Sequence, residues 1–267
     1  MAKSYEAIAF ATANRIATIT LNRPDSLNSL NNQMTSELAD AVQAVKRDDS
    51  VRAVIVTGAG RAFSSGQDLG DLKKKYADPA YVPHLAEDLK GRYNPVVMGL
   101  GELEKPVVAA VNGVAAGAGL SLALACDIRI ASDKASFIEV FVNVGLVPDA
   151  GNTYVLPRLV GLGKALELCF TGDKVSAEQA LTLGLVNRVV PGDKLMEAAN
   201  ELAGKLAALP TRAIGLTKRL LHRSLTSDLA SQLDAEAVAQ ESAGQSKDHR
   251  EGVTAFFEKR PPQFQGK

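Results

Sequence analysis

Two runs in this chain are apolar at nearly every position and stop abruptly at a small residue. Val51-Arg-Ala-Val-Ile-Val-Thr57 ends at Gly58, and Pro106-Val-Val-Ala-Ala-Val111 ends at Asn112-Gly113. A strand without polar alternation is buried on both faces, the habit of a parallel sheet covered by helices. Helix-period stripes separate such runs: Met34, Leu38, Val42 and Val45 share one face of a helix predicted from about Asn32 to Lys46. Ala7–Ala11 and Ile16–Leu21 read as strands of a hairpin around Thr12-Ala-Asn14. Further strands are expected at Asp127–Ala131 and Phe137–Val140, and helices at Leu89–Glu104 and Gly117–Ala125. Beyond Gly161 helical patterns dominate, at 164–170, 176–183, 195–209, 212–225 and, as the last helix, Leu229–Glu241. Strands alternating with helices, then helices alone, imply α/β layers carrying a helical C-terminal region. Residues 70–85 are charged and aromatic without a period and read as a mobile connection or lid, with 70–95 supplying a pocket wall.

The 267 residues suffice for one large α/β domain, or one domain with a helical appendage. Thirty Lys and Arg balance thirty Asp and Glu, which removes the electrostatic argument for a general nucleic-acid binder. The Lys73-Lys-Lys75 run reads as a solvated surface able to meet a ligand phosphate. Cys126 and Cys169 sit in apolar segments as reduced core thiols, and His84, His222 and His249 lack metal-ligand spacing, so no metal is expected. No secretory pattern opens the chain and no stretch of about 18 apolar residues interrupts it, so a cytoplasmic protein is expected.

Three turns carry the chemistry. Phe63-Ser-Ser-Gly-Gln-Asp-Leu69 and Asn112-Gly-Val-Ala-Ala-Gly-Ala-Gly119 are built of small residues whose backbone N–H groups another atom can approach. Tight packing of helix on strand needs the same residue types, so neither turn is diagnostic alone. Two such amides converging on one carbonyl oxygen would form an oxyanion hole. The third turn, Val147-Pro-Asp-Ala-Gly151, lies between apolar runs, where an idle Asp149 would cost desolvation energy. No Ser/His/Asp order, P-loop or dinucleotide fingerprint is present.

Taken in order, these segments resemble the crotonase family, the enoyl-CoA hydratases and isomerases. Leu21–Asn28, Ala53–Gly58, Phe63–Leu69, Lys105–Gly119, Cys126-Asp127, Ser176–Ala180, Gly184–Val190 and Arg250–Pro262 carry the resemblance over nearly the whole chain. It implies a β-β-α spiral core, here residues 1–200, and a helical C-terminal trimerisation region, residues 201–267. It also implies acyl-CoA thioester substrates, coenzyme A entering as part of the substrate with no separate cofactor, and a homotrimer or hexamer. The oxyanion hole would be the N–H groups of Gln67 and Ala118. Coenzyme A would run along Leu27, Ser65, Asp68 and Leu69, with Phe257 and Lys259 helping to enclose it.

Departures from the family pattern narrow the reaction. Family hydratases use two glutamates where this chain has Ser121 and Phe141; its hydrolytic dehalogenases carry His and Trp where it has Asn94 and Phe141. A single carboxylate, Asp149, matches the pattern of family isomerases. Tyr93-Asn-Pro-Val, Asn112–Gly119, Val147-Pro-Asp149 and Arg250…Phe264 resemble the family's ring isomerases of phenylacetate breakdown. Asn152 stands for a second glycine, a change read as tolerable because Asn accepts left-handed backbone angles. The reading is therefore an acyl-CoA isomerase of aromatic or fatty acid catabolism, acting on a ring-epoxide or 3-enoyl thioester. Two rivals stay open. One is a hydratase using Glu139 as an unconventional acid, on the argument that strand alternation puts it on one face with Phe141. The other is a non-catalytic assembly subunit.

Overall fold

A computed structural model describes residues 5–70, 73 and 76–267. Its organising unit is a strand for a large sheet, a corner, a short strand for a small sheet, then a helix. Strand β3 (Ala53–Gly58) leads to β4 (Ala62–Ser64), β5 (Val107–Val111) to β6 (Val114–Ala116), and β7 (Ile128–Ser132) to β8 (Ser136–Ile138). With β1 (Ile8–Ala13), β2 (Ile16–Leu21), β9 (Lys174–Ser176) and β10 (Arg188–Val190), these form a six-stranded sheet, β1-β2-β3-β5-β7-β10, and a four-stranded sheet, β4-β6-β8-β9. Among the described residues only the β1–β2 and β8–β9 pairs are antiparallel. This is the expected β-β-α spiral.

The corners demand glycine. A Cβ on Gly58 would fall 2.2 Å from the Ala62 carbonyl oxygen, and one on Gly113 would fall 2.1 Å from that of Arg61. Two asparagines tie the corners together. Asn112 accepts from Gly58 N–H and donates to Gly60 and Ala62, while fully buried Asn28 donates to Ala59 and Ala62 at 2.8 Å each.

Strand alternation divides the apolar runs between two cores. Val54 and Val56 face a core shared with α1 (Asn32–Arg47), whereas Ala53 and Ile55 face α7 (Leu195–Ala208) through Ala199, Ala203 and Ala207. Helix α1 begins at Asn31, whose side chain accepts from Met34 N–H, and buries Met34, Leu38, Val42 and Val45 as its stripe predicts. Helix α2 (Asn94–Glu102) is entered through a helical turn, Leu85–Asp88, and a π-turn, Leu89–Tyr93. Then come α3 (Ala118–Leu124), α4 (Asn152–Val160), α5 (Leu162–Thr171), α6 (Ala177–Thr182), α8 (Thr211–Ser224), α9 (Leu229–Gly244) and α10 (Lys247–Glu258).

Several expectations change. Residues 174–176 and 188–190 are strands inside the stretch read as helical; three residues are too few to show a period. Helix α9 is not the last, since α10 follows a Ser246 cap. The predicted strand Phe137–Val140 stops at Ile138, and Val140–Val144 is a 3₁₀ helix, so alternation cannot place Glu139 and Phe141 on one face. Within the expected lid, residues 71, 72, 74 and 75 lie outside the described residues, as do Lys74 and Lys75 of the basic run and residues 1–4 of the chain start. Among the described residues no helix is long and apolar enough to cross a membrane.

Candidate active site

The first turn is pinned to the chain at Leu30. Leu30 N–H donates to the Gly66 carbonyl at 2.7 Å, and Asp68 N–H donates to the Leu30 carbonyl at 3.2 Å. A residue bracketed in this way in a parallel ladder turns its own N–H to the opposite side, so Gln67 presents its amide away from Leu30. Gly66, at φ +92°, permits the approach: a Cβ there would lie 2.7 Å from Ala116 O and 3.4 Å from Ala118 N. Ala118 is the first residue of α3, so its N–H has no helical acceptor. Gly119 completes the contact, for a Cβ there would strike Ser64 O at 2.5 Å. The packing that needs small residues thus brings the first turn against the start of α3.

Asp149 sits on the turn between the 3₁₀ helix and α4. Ala150 and Gly151 both adopt positive φ, +50° and +81°, and the alanine is strained there. The turn is held by its backbone: the Asp149 carbonyl accepts Asn152 N–H and the Ser121 hydroxyl, each at 3.0 Å. The carboxyl has no such support. Its Oδ1 is buried without a hydrogen-bond partner, and burial pushes the group from its ordinary 3.8 up to about 6.

Tyr93, from the π-turn, connects the parts. Its hydroxyl reaches the Leu30 carbonyl at 3.5 Å, and burial, opposed by the Arg92 charge and reinforced by those of Asp149, Asp88 and Asp68, pushes the phenol up to about 12. Val97 of α2 lies 3.2 Å from where a Gly151 Cβ would be, which places that helix against the Asp149 turn. Phe141 packs its ring against Gly117, and Ser121 is committed to the Asp149 carbonyl. Positions 141 and 121 thus offer a hydrocarbon and an engaged hydroxyl.

Sequence reasoning missed what lies behind Asp149. Asn152 is not left-handed; it opens α4, and its fully buried side chain donates to Glu139 Oε1 at 2.8 Å. Glu139 is 2% exposed and its Oε2 has no partner. The available signal was a carboxyl at 139 and an amide at 152 in otherwise apolar surroundings.

The other expected ligand residues divide. Leu27 and Ser65 are joined, Ser65 N–H donating to the Leu27 carbonyl at 2.9 Å, with Leu27 held at φ +53°. Asp68 is occupied: it pairs with Arg23 at 2.7 Å and accepts from Ser29 and Gly70. Burial raises its pKa, but these donors outweigh that effect and hold the carboxyl below its ordinary value. Leu69 is exposed. Phe257 and Lys259 lie at the end of α10, whose tail is anchored by Asp248 to Gln265 and Gly266 and by the Phe264 carbonyl to Arg52. They are exposed there. A larger groove, about 1390 Å³, runs between α2 and α8 and includes none of Asp149, Gln67 and Ala118. Three of its cations are engaged, Lys218 with Asp127, Arg219 with Glu104 and Arg52 with Thr211. Size alone does not make it the reactive site.

Residues 11–267 match the family description "Enoyl-CoA hydratase/isomerase". The chain is 47% identical over 94% of its length to 1,2-epoxyphenylacetyl-CoA isomerase of Escherichia coli, covering 95% of that protein. It is 38% identical to short-chain-enoyl-CoA hydratase of Clostridium acetobutylicum, with 92% of each chain covered. The crystal structure of an enoyl-CoA hydratase from Bacillus anthracis superposes with a TM-score of 0.91 at 36% identity, covering 98% of this chain and all of that one.

Proposed function

The chain belongs to the enoyl-CoA hydratase/isomerase family, and from that premise we propose that it is an isomerase of acyl-CoA thioesters with Asp149 as its single proton carrier. The observation that carries the reading is the Asp149 carboxyl, buried at one oxygen without a hydrogen-bond partner, on a turn tied to α3 through Ser121. Substrate would lay its thioester oxygen between the N–H groups of Gln67 and Ala118. Each donor would stabilise the developing enolate by roughly 2.7–4 kcal/mol. Asp149 would take a proton from C2 of a 3-enoyl thioester and return it to C4, moving the double bond to the 2-position. A carboxyl at about 6 is ionised at neutral pH yet more basic than an ordinary aspartate, which suits both halves of that transfer.

The Escherichia coli relative motivates the finer proposal that the physiological substrate is a ring epoxide of phenylacetyl-CoA, its ring expansion assisted by the same enolate-stabilising site. Coenzyme A would pass along Leu27, Ser65 and Leu69, with Phe257 and Lys259 closing over it from a neighbouring subunit. Exposed Leu229, Val238, Phe256 and Phe257 on the C-terminal helices support a homotrimer or hexamer built through residues 201–267.

Hydration is the second reading, favoured by Glu139 as another carboxyl near Asp149 and by the hydratase relatives. Absorbance of the conjugated thioester separates the two. Isomerisation of a 3-enoyl-CoA makes it grow, whereas hydration of crotonyl-CoA makes it fall. Loss with crotonyl-CoA and no gain with a 3-enoyl-CoA would overturn the proposal.

A further inference from the structure

We propose that Arg23 and Asp68 are positioning residues for the oxyanion hole: one guanidinium nitrogen bolts the residue after Gln67 to the segment that Gln67 pairs with, and so fixes the direction of the Gln67 N–H. The inference rests on the reading of that N–H as an oxyanion donor. Gln67 and Leu30 form an isolated bridge, one residue wide. Before Gln67 the turn is packed against its neighbours, Ser64 on Gly119 and Gly66 on Ala116. After it, side chains close the bridge. Arg23 Nη1 donates to the Ser29 carbonyl at 2.6 Å, to Ser29 Oγ at 3.2 Å and to Asp68 Oδ2 at 2.7 Å. Ser29 Oγ in turn donates to the same Asp68 oxygen at 3.1 Å. The clamp therefore holds the neighbours of both bridged residues, Ser29 before Leu30 and Asp68 after Gln67.

The base of the clamp is itself fixed. Arg23 N–H donates to Oδ1 of fully buried Asn28, and Asn28 N–H donates back to the Arg23 carbonyl, each at 2.9 Å. Leu27 and Asn28 hold positive φ, +53° and +56°, so the backbone leading to Leu30 relies on such contacts. Both Asp68 oxygens are engaged: Oδ1 accepts Gly70 N–H at 2.9 Å, while Oδ2 takes the arginine and the serine. Hydrogen bonds between ionised groups are shorter and stronger than neutral ones, which suits them to hold a backbone in place. A carboxylate turned to coenzyme A would face phosphates of its own sign. Turned to Arg23, it works through its neighbour Gln67 and not on the ligand.

The test uses the full-length protein and butyryl-CoA, ¹³C-labelled at the thioester carbonyl, as a probe with no double bond to move. Its carbonyl infrared band should shift to lower wavenumber on binding wild type, and return toward the free position in Arg23→Met and in Asp68→Asn. Both variants, checked for folding by their unfolding midpoints, should lower kcat for 3-enoyl-CoA isomerisation about tenfold to a hundredfold. Affinity for butyryl-CoA should stay within about threefold of wild type, because the clamp does not touch the ligand. Adding Asp68→Asn to Arg23→Met should lower kcat by less than about threefold more, since the clamp is already open. A wild-type band position in Arg23→Met, or weaker binding at unchanged kcat in Asp68→Asn, overturns the inference and leaves the oxyanion reading standing. No band shift in wild type overturns the oxyanion reading itself, and the inference with it.

Discussion

Replacing Asp149 by asparagine keeps the shape of the side chain and removes its charge, and the structure gives the consequence for stability a sign and a size. The carboxyl moves from its ordinary 3.8 to about 6 on folding because it is buried without a donor. Each factor of ten in ionisation is worth about 1.4 kcal/mol, so the folded protein carries the charge at a cost of up to about 3 kcal/mol. The folded state holds its proton more tightly than the unfolded chain. The group's full stabilising effect is therefore present below pH 3.8, is lost as pH rises toward 6, and stays absent above that. Asp149→Asn has no such loss. In urea unfolding at a series of pH values, the variant should match wild type near pH 4 and exceed it by about 2–3 kcal/mol at pH 8. A residue kept at that expense is kept for chemistry. A variant equal to or less stable than wild type at pH 8 would refute the reasoning, because it would mean Asp149 makes stabilising contacts in its charged form.

Other perturbations probe the scaffold. Gly66→Ala puts a Cβ 2.7 Å from Ala116 O at φ +92°. It should destabilise the fold by about 1–3 kcal/mol and lower kcat about 10²–10³-fold by displacing the Gln67 amide, as unfolding and steady-state assays would report. Arg129 is buried and donates to the carbonyls of Leu185 and Cys126. Arg129→Leu should cost about 3 kcal/mol in urea unfolding by leaving both without donors, although it lies outside the proposed site. Sedimentation of the purified protein should give three or six times the 28.1 kDa chain mass; a monomer would contradict the proposed assembly.

The parts that were legible in the sequence are those set by one local rule. The stripe of Met34, Leu38, Val42 and Val45 specified its helix, and the glycine stops at 58 and 113 marked corners where a Cβ has no room. Asp149 stood out because a carboxylate between apolar runs is costly. What was not legible depends on contacts between segments. Strands β9 and β10 take their conformation from the sheets they join, at Phe137 and Ala131, and not from a pattern of their own. The chain turns at Glu139 because Val140 and Phe141 pack over Gly117, a contact no period announces. Asn152 was read for its backbone tolerance, whereas its side chain does the work by meeting a carboxyl thirteen residues earlier.

The central claim is that one carboxylate moves the proton while the two amides bind the oxygen. Its most direct measurement is the turnover of Asp149→Asn on a 3-enoyl-CoA beside that variant's affinity for a non-reacting CoA thioester. The account predicts kcat lower by about 10²–10⁴-fold with affinity unchanged within about threefold. Wild-type turnover in this variant would contradict it.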